Sequence, residues 1–377
     1  MKIQGIPKYA FTMLIIAVVA CAPQEVTVNG ELTSNQIKEF TDELIDKLVA
    51  GNEFSGSVLI AKDREAIYTR AAGEASQRYG VENRIDTKFN LGSMNKMLTG
   101  VAIMQLAQEG KLSVEDAIGK HLPDYPNEAV RAKVTIHHLL THTSGMGMYW
   151  RELFEDPYWI MRKTTEDFAE LTYEQPLAFE PGEQFQYSNC GPIVVGLLIE
   201  KISGQSYDDY IREHVTSPTG MENTDTYDLT KPVPNLATGY TRMNLMGEPQ
   251  EELLENYFIT PSKGGPAGGG YSTVEDLLRF ANALQGNLLL DQAHVELLTT
   301  GKVERNPEKK YAYYFEEELI NGHRVIGHGG GAAGINSDLR IYTDLGYTVA
   351  VMTNYDPPAA QKVAGKLKEL LTGSGSD

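Results

Sequence analysis

The sequence predicts an α+β fold: one antiparallel sheet drawn from both ends of the chain, flanked by helices and interrupted by a mostly helical subdomain. Three observations predict it. Strand-like runs with short turns lie within residues 57–69 and again within 311–353. The stretch from about 97 to 284 carries the apolar spacing of helices, and an amphipathic helix closes the chain. Strands at both ends with helices between them pair most simply into a single sheet. With 377 residues, 41% of them apolar and 22% charged, the chain can build a full core and lacks a disordered composition.

The N-terminal segment stands apart. Lys2 and Lys8 precede an apolar run, Ala10 to Ala20, that only Thr12 interrupts. The run is too short for a membrane helix and fits a secretory signal peptide over residues 1–20. Val18-Val19-Ala20-Cys21 resembles a bacterial lipoprotein signal. Cys21 is therefore the expected lipidated N-terminus of an exported, membrane-anchored protein facing the periplasm or cell surface. Residues 21–33, with Pro23, Asn29 and Gly30, read as a tether to a domain over 34–371, and 372–377 as a flexible tail. Losing Lys2 and Lys8 takes the charge from −18 to −20. Such acidity argues against nucleic acid as a partner, since phosphate binding needs clustered Lys and Arg. Cys190 would remain the only thiol, so no intrachain disulfide is available.

The domain opens with a helix: Ser34 is a suitable cap, and Ile37, Phe40, Leu44 and Leu48 recur at helical spacing. Ser57–Ala61 and Ala66–Thr69 flank the turn Lys62-Asp63-Arg64 as a hairpin. Met97–Ala107 is apolar on nearly every face and ends at Gly110, the mark of a buried helix. Pro192–Ile202 is similar and ends at Gly204. Ser272-Thr273-Val274-Glu275 reads as a capping box for a helix to about Leu284. The long connections over 218–270 are where function is often housed. Tyr311–Glu318 and Arg324–His328 flank Asn321-Gly322, a strong hairpin signal. Ser337–Tyr342 and Tyr347–Thr353 pair around Asp344-Leu345-Gly346, and Ala359–Leu371 is the closing helix.

Short patterns within this frame carry chemistry. Serine needs a base to take its proton. If a helix starts near Ser93, Lys96 lies one turn along on the same face, within reach of the Ser93 hydroxyl. Apolar surroundings and the helix N-terminus both lower a lysine's pKa and favour the neutral amine. Tyr187 offers a phenol to shuttle protons between Ser93 and a leaving group. Asn189 can hold Lys96 and bind a substrate carbonyl, or cap the helix before Pro192. Ile326-Gly327-His328-Gly329-Gly330-Gly331 puts an imidazole on an edge strand followed by residues with no side chain to block approach. The Gly331 and Ser93 N–H groups are candidates for an oxyanion hole.

Three patterns mislead. Gly329–Gly334 spells a dinucleotide fingerprint but leads into an alternating strand where that fingerprint must open a helix. His138 and His142 have zinc-helix spacing without the glutamate or an evident third ligand, so no metal is expected. Gly264–Gly270 lacks the Lys-Ser/Thr of a phosphate loop. No cofactor is implied.

The ordered set Ser93-x-x-Lys96, Tyr187-Ser188-Asn189 and His328-Gly329-Gly330 resembles the serine β-lactamase and penicillin-binding protein family. The likeness is to the branch of class C β-lactamases, DD-peptidases, D-aminopeptidases and related esterases. Leu139–Gly145, Pro181-Gly182-Glu183 and Gly269–Thr273 resemble further stretches of that family, over residues 34–371. The resemblance implies a β-lactamase/transpeptidase-like fold, with Ser93 as acylated nucleophile, Lys96 as its base partner and Tyr187 as proton shuttle. It implies that Asn189 binds substrate and that His328 with Gly330 lines the carboxylate or ester side. Class C enzymes carry lysine where this chain has His328, and a hydroxyl residue where it has Gly329. An imidazole is only partly charged near neutral pH and glycine offers no hydroxyl, so both changes weaken recognition of a β-lactam carboxylate. The expected function is therefore a serine hydrolase acting on an ester or a D-amino-acid amide, ahead of a β-lactamase. A penicillin- or peptidoglycan-binding lipoprotein without turnover is the remaining alternative. A small molecule or a peptide is the expected substrate, and the oligomeric state stays open.

Overall fold

The computed structural model describes residues 32–244 and 248–374. The expected signal peptide, Cys21, nearly all of the tether and the last three residues of the tail lie outside the described residues. Among the described residues, no helix is long and apolar enough to cross a membrane.

Helix α1 (Ser34–Ala50) opens one residue earlier than its expected cap: Thr33 caps it, in a reciprocal box with Gln36. Its buried stripe is Ile37, Thr41, Ile45 and Leu48, so Phe40 and Leu44 flank that stripe. Strands β1 (Gly56–Lys62) and β2 (Glu65–Ala72) form the predicted hairpin. Asp63 and Arg64, both at positive φ (50° and 74°), make the left-handed turn that fits the strand twist.

The later strands are β3 (Val303–Asn306), β4 (Lys309–Tyr311), β5 (Glu316–Ile320), β6 (His323–Ala332), β7 (Ile335–Tyr342) and β8 (Tyr347–Thr353). They join β1 and β2 in one antiparallel sheet of order β2-β1-β8-β7-β6-β5-β4-β3. The link between chain ends is the β1–β8 pair, where Gly56 lies opposite Thr353 and Lys62 opposite Tyr347. This is the α+β sheet expected from the sequence. Every residue of β7 and β8 is buried, so both faces are covered.

The expected strand 311–318 is broken. Residues 312–315 leave the ladder because the Tyr313 and Tyr314 N–H groups donate to the carbonyls of Leu298 and Leu140 in the helical region. Strand β6 runs four residues past its expected end. Its pairing with β7 reaches Ala332, whereas its pairing with β5 stops at Gly327. The glycine-rich stretch 328–332 thus has one edge that β5 does not cover.

The subdomain between β2 and β3 is built on α2 (Lys96–Gln108) and α3 (Cys190–Ser203), which pack together. Apolar on most faces, they are buried nearly throughout. Helix α3 ends at Gly204 in the left-handed conformation (φ 74°). Helix α4 (Val274–Gln285) packs against β1 and β8, and α5 (Ala359–Thr372) against β7, β8 and α1. The cap of α4 is Thr273, whose hydroxyl accepts from the Asp276 N–H at 3.2 Å. Ser272, the cap suggested by the sequence, instead belongs to a short strand pair with Phe89 and shares a 2.7 Å hydroxyl bond with Thr224.

Candidate active site

Ser93 sits where a strand turns into a helix. Phe89-Asn90 pairs with Tyr271-Ser272, and a tight turn at Gly92–Asn95 then leads directly into α2 at Lys96. Gly92 takes φ +52°, a conformation that glycine adopts without Cβ strain. The turn is pressed against the far end of β6: a Cβ on Gly330 would lie 1.9 Å from the Leu91 carbonyl oxygen. The Ser337 hydroxyl donates to that same oxygen at 2.7 Å. Residues about 240 apart in sequence are thereby fixed side by side.

Lys96 is fully buried, and its Nζ meets three groups: Ser93 Oγ at 3.1 Å, Asn189 Oδ1 at 2.8 Å and the Ala267 carbonyl at 2.5 Å. Burial pushes its pKa down from 10.5 to about 7. A neutral amine has two N–H donors and one lone pair. Two of its three neighbours, the Asn189 and Ala267 oxygens, can only accept. The lone pair is therefore left for the Ser93 hydroxyl, which can donate.

Asn189 occupies the N-cap position of α3 but makes no capping bond, because its side chain is turned to Lys96. Capping falls to Ser188, whose hydroxyl accepts from the Gly191 N–H at 3.0 Å. The Tyr187 ring lies under Lys96, with Nζ 5.0 Å from its centroid. Its hydroxyl is buried with no hydrogen-bond partner in the protein. Burial above all raises the phenol's pKa, with the nearby Ser93 hydroxyl acting in the opposite direction. Tyr187 is a neutral phenol at rest.

His328 does not border the cleft, nor does Gly330. The imidazole is 4% exposed, and burial above all pushes it down to about 4, against the pull of Glu316. It is therefore neutral near pH 7, not the partly charged group anticipated from the sequence. A chain of bonds fixes it. His142 Nδ1 accepts from the Ser188 N–H at 3.2 Å, so His142 Nε2 carries the proton and donates to Tyr311 Oη at 3.0 Å. Tyr311 donates to His328 Nε2 at 2.9 Å, and His328 Nδ1–H donates to the Gly329 carbonyl at 2.5 Å. The backbone from Gly331 to Ala333 lines the cleft in their place, facing Ser93. His138 is a structural histidine, its Nδ1 accepting from the Thr135 N–H in a helix cap.

The loop 264–270 contributes what the sequence did not disclose. Three successive carbonyls, those of Gly265, Pro266 and Ala267, accept from Asn95 (2.9 Å), Thr99 (2.8 Å) and Lys96 on the first turns of the Ser93 helix. Tyr207 bonds the Thr99 hydroxyl at 2.7 Å. The available signal was Thr99, a hydroxyl three residues after Lys96 within the apolar run of the helix.

Ser93 opens into a cleft of about 750 Å³ of atom-free space, part of it open to solvent. Asn90, Asn189, Thr260 and Lys263 supply its polar side chains. Tyr149, Trp150, Phe168, Ile193 and Ile259 form its apolar wall. A desolvated amine on a serine hydroxyl, a phenol beside both and a glycine strand with an open edge form an arrangement suited to acyl transfer.

Comparison with known proteins gives the family. The family model described as Beta-lactamase matches residues 41–373. Penicillin-binding protein 4* of Bacillus subtilis (strain 168) is 29% identical over 350 residues, which cover 89% of this chain and 76% of that protein. The crystal structure of a penicillin-binding protein from Bacillus halodurans is 28% identical with a TM-score of 0.78, covering 86% of this chain and 98% of that one. The D-amino acid amidase of Ochrobactrum anthropi has the same fold at 21% identity and a TM-score of 0.77, covering 91% of this chain and all of that chain. The chain belongs to the beta-lactamase family and is a serine hydrolase of that family.

Proposed function

We propose that the protein hydrolyses an ester or amide, a carboxylic ester or a D-amino-acid derivative, through an acyl-enzyme on Ser93. The observation that carries this reading is the environment of Lys96, whose lone pair has only the Ser93 hydroxyl to receive from. Neutral Lys96 takes the Ser93 proton as Oγ attacks the substrate carbonyl carbon. The developing oxyanion is received by the Ser93 and Gly331 N–H groups. The C–O or C–N bond then breaks, and the leaving group departs with a proton relayed from Lys96 through the Tyr187 hydroxyl, which needs no protein partner to be broken first. Water repeats the sequence on the acyl-enzyme, with the same groups acting in reverse. Asn189 keeps Lys96 aligned and lines the cleft where a substrate carbonyl would pass.

A β-lactamase is the weaker reading, because a neutral, buried His328 offers no charge to a β-lactam carboxylate. A binder without turnover is weaker still, since a pure binder has no need for a proton shuttle such as Tyr187. Incubation with a nitrophenyl ester, a D-Ala-D-Ala peptide and a cephalosporin, followed by turnover and protein mass, separates the three. Ester or peptide turnover that Ser93→Ala abolishes supports the proposal; a stable adduct without release supports the binder. Unchanged activity in Ser93→Ala ends the proposed mechanism. Export and lipidation at Cys21 belong to the same proposal, and Cys21→Ala should move the protein from the membrane fraction to the soluble one.

A further inference from the structure

We infer that the cleft selects substrates with an apolar or aromatic acyl group and rejects those carrying a carboxylate there, and that Asp208 enforces this by neutralising Lys263. The inference rests on Ser93 being the acylated nucleophile and narrows the substrate of that site.

The wall beyond Ser93 is apolar, and its deeper members are packed into the core: Phe168 is 4% and Ile193 1% exposed. Trp150 extends this wall to the surface, where its ring stacks on that of Phe154, centroids 6.2 Å apart at 17°. An alkyl or aryl group laid here removes apolar surface from water on both sides. A carboxylate laid here loses its hydration and needs a cation in return.

Among the described residues bordering the cleft, Lys263 is the one with a charged side chain. It is ion-paired to Asp208, and both side chains are largely buried, 18% and 17% exposed. The second oxygen of Asp208 accepts from the Thr226 hydroxyl at 2.5 Å, which holds the carboxylate in place. A substrate anion must therefore displace Asp208 to reach the lysine. The nearby alternatives are closed. Lys96 has all three of its contacts met inside the protein, and His328 is neutral. Arg340 is buried between Asp338 and Glu316.

The test uses the purified chain and matched p-nitrophenyl esters: acetate, phenylacetate, 4-methylphenylacetate and 4-carboxyphenylacetate. We expect kcat/KM to rise on the order of tenfold or more from acetate to phenylacetate. The 4-carboxy ester should fall at least as far below its 4-methyl partner. Asp208→Asn keeps the shape and the Thr226 bond but frees Lys263, and should narrow the carboxy/methyl gap by about fivefold or more. Lys263→Met, which leaves the Asp208 carboxylate without its cation, should leave the gap at least as wide as in the natural protein, and it stands in should the Asn variant fail to fold. A flat ester series, or a 4-carboxy ester preferred by the unaltered protein, overturns the inference. An unchanged gap in folded Asp208→Asn, or a narrowed one in Lys263→Met, removes Asp208 from it. Ester turnover that persists unchanged in Ser93→Ala would overturn the nucleophile assignment itself, a result distinct from Ser93-dependent turnover without acyl preference.

Discussion

Lowering the pH through 7 should switch off Ser93 by protonating Lys96, and the size of the effect follows from the structure. An ordinary lysine, with pKa 10.5, is neutral in about one molecule per thousand at pH 7.5; with the value lowered to about 7, roughly three quarters are neutral. Burial thus enlarges the supply of competent base by nearly three orders of magnitude. The acid limb of kcat/KM for an ester should have its midpoint near pH 7 and stand at about 3% of the plateau at pH 5.5. His328, lowered to about 4, is already neutral there and contributes no limb. The same shift bears on stability. For a base whose folded pKa is depressed, the penalty is full below the folded value and relieved as pH rises to the unfolded one. It amounts to on the order of 5 kcal/mol below pH 7, fading toward pH 10.5. Lys96→Met removes that penalty but strands the Asn189 and Ala267 oxygens, at about 1–3 kcal/mol each. The variant should therefore be folded, with a melting temperature close to or above that of the natural protein, and inactive by about 10³ or more. A pH-stat measures the profile, and differential scanning calorimetry the stability. A profile flat from pH 5.5 to 8.5, or a Lys96→Met protein that unfolds at room temperature, would refute the reasoning.

Three further expectations are checked by the same assays. Tyr187→Phe deletes a hydroxyl that bonds nothing in the protein, so the melting temperature should hold while turnover drops about 10²–10⁴-fold. Thr99→Val leaves the Pro266 carbonyl and the Tyr207 hydroxyl without their partner; stability should fall by roughly 1–3 kcal/mol in urea titrations, and kcat should fall as the Ala267 carbonyl loosens from Lys96. Gly330→Ala drives a methyl into the Leu91 carbonyl, a backbone atom that cannot step aside; a loss of about 3 kcal/mol or more is expected, with Ser93 reactivity lost alongside.

The sequence conveyed the sheet because its strands alternate or pair through hairpin signals such as Asn321-Gly322, and the buried helices because Met97–Ala107 and Pro192–Ile202 have no polar face. Lys96 stood out in the sequence because a lysine is costly in a buried helix without a purpose, and Ser93, Tyr187 and Asn189 because with it they form an ordered set of motifs. What stayed hidden depends on distance in space. The break at 312–315 arises because Leu140 and Leu298 claim its N–H groups, and no local pattern announces that. Ala267 acts through its carbonyl, which every residue has. His328 looked like a partly charged edge residue because the spacing of a strand does not say what covers it; Tyr311, whose hydroxyl bonds it, lies across a turn that the sequence disguised as strand.

The pairing of β1 with β8 has a consequence for how activity arises. The two strands are separated by nearly the whole domain, and Ser93 receives its backbone neighbour at 331 only once that last third of the chain has been made and threaded in. Such distant pairings make folding slow relative to locally wired proteins. A nascent or truncated polypeptide would thus carry the reactive serine without the machinery to fire it, and hydrolysis itself becomes a report that synthesis has finished.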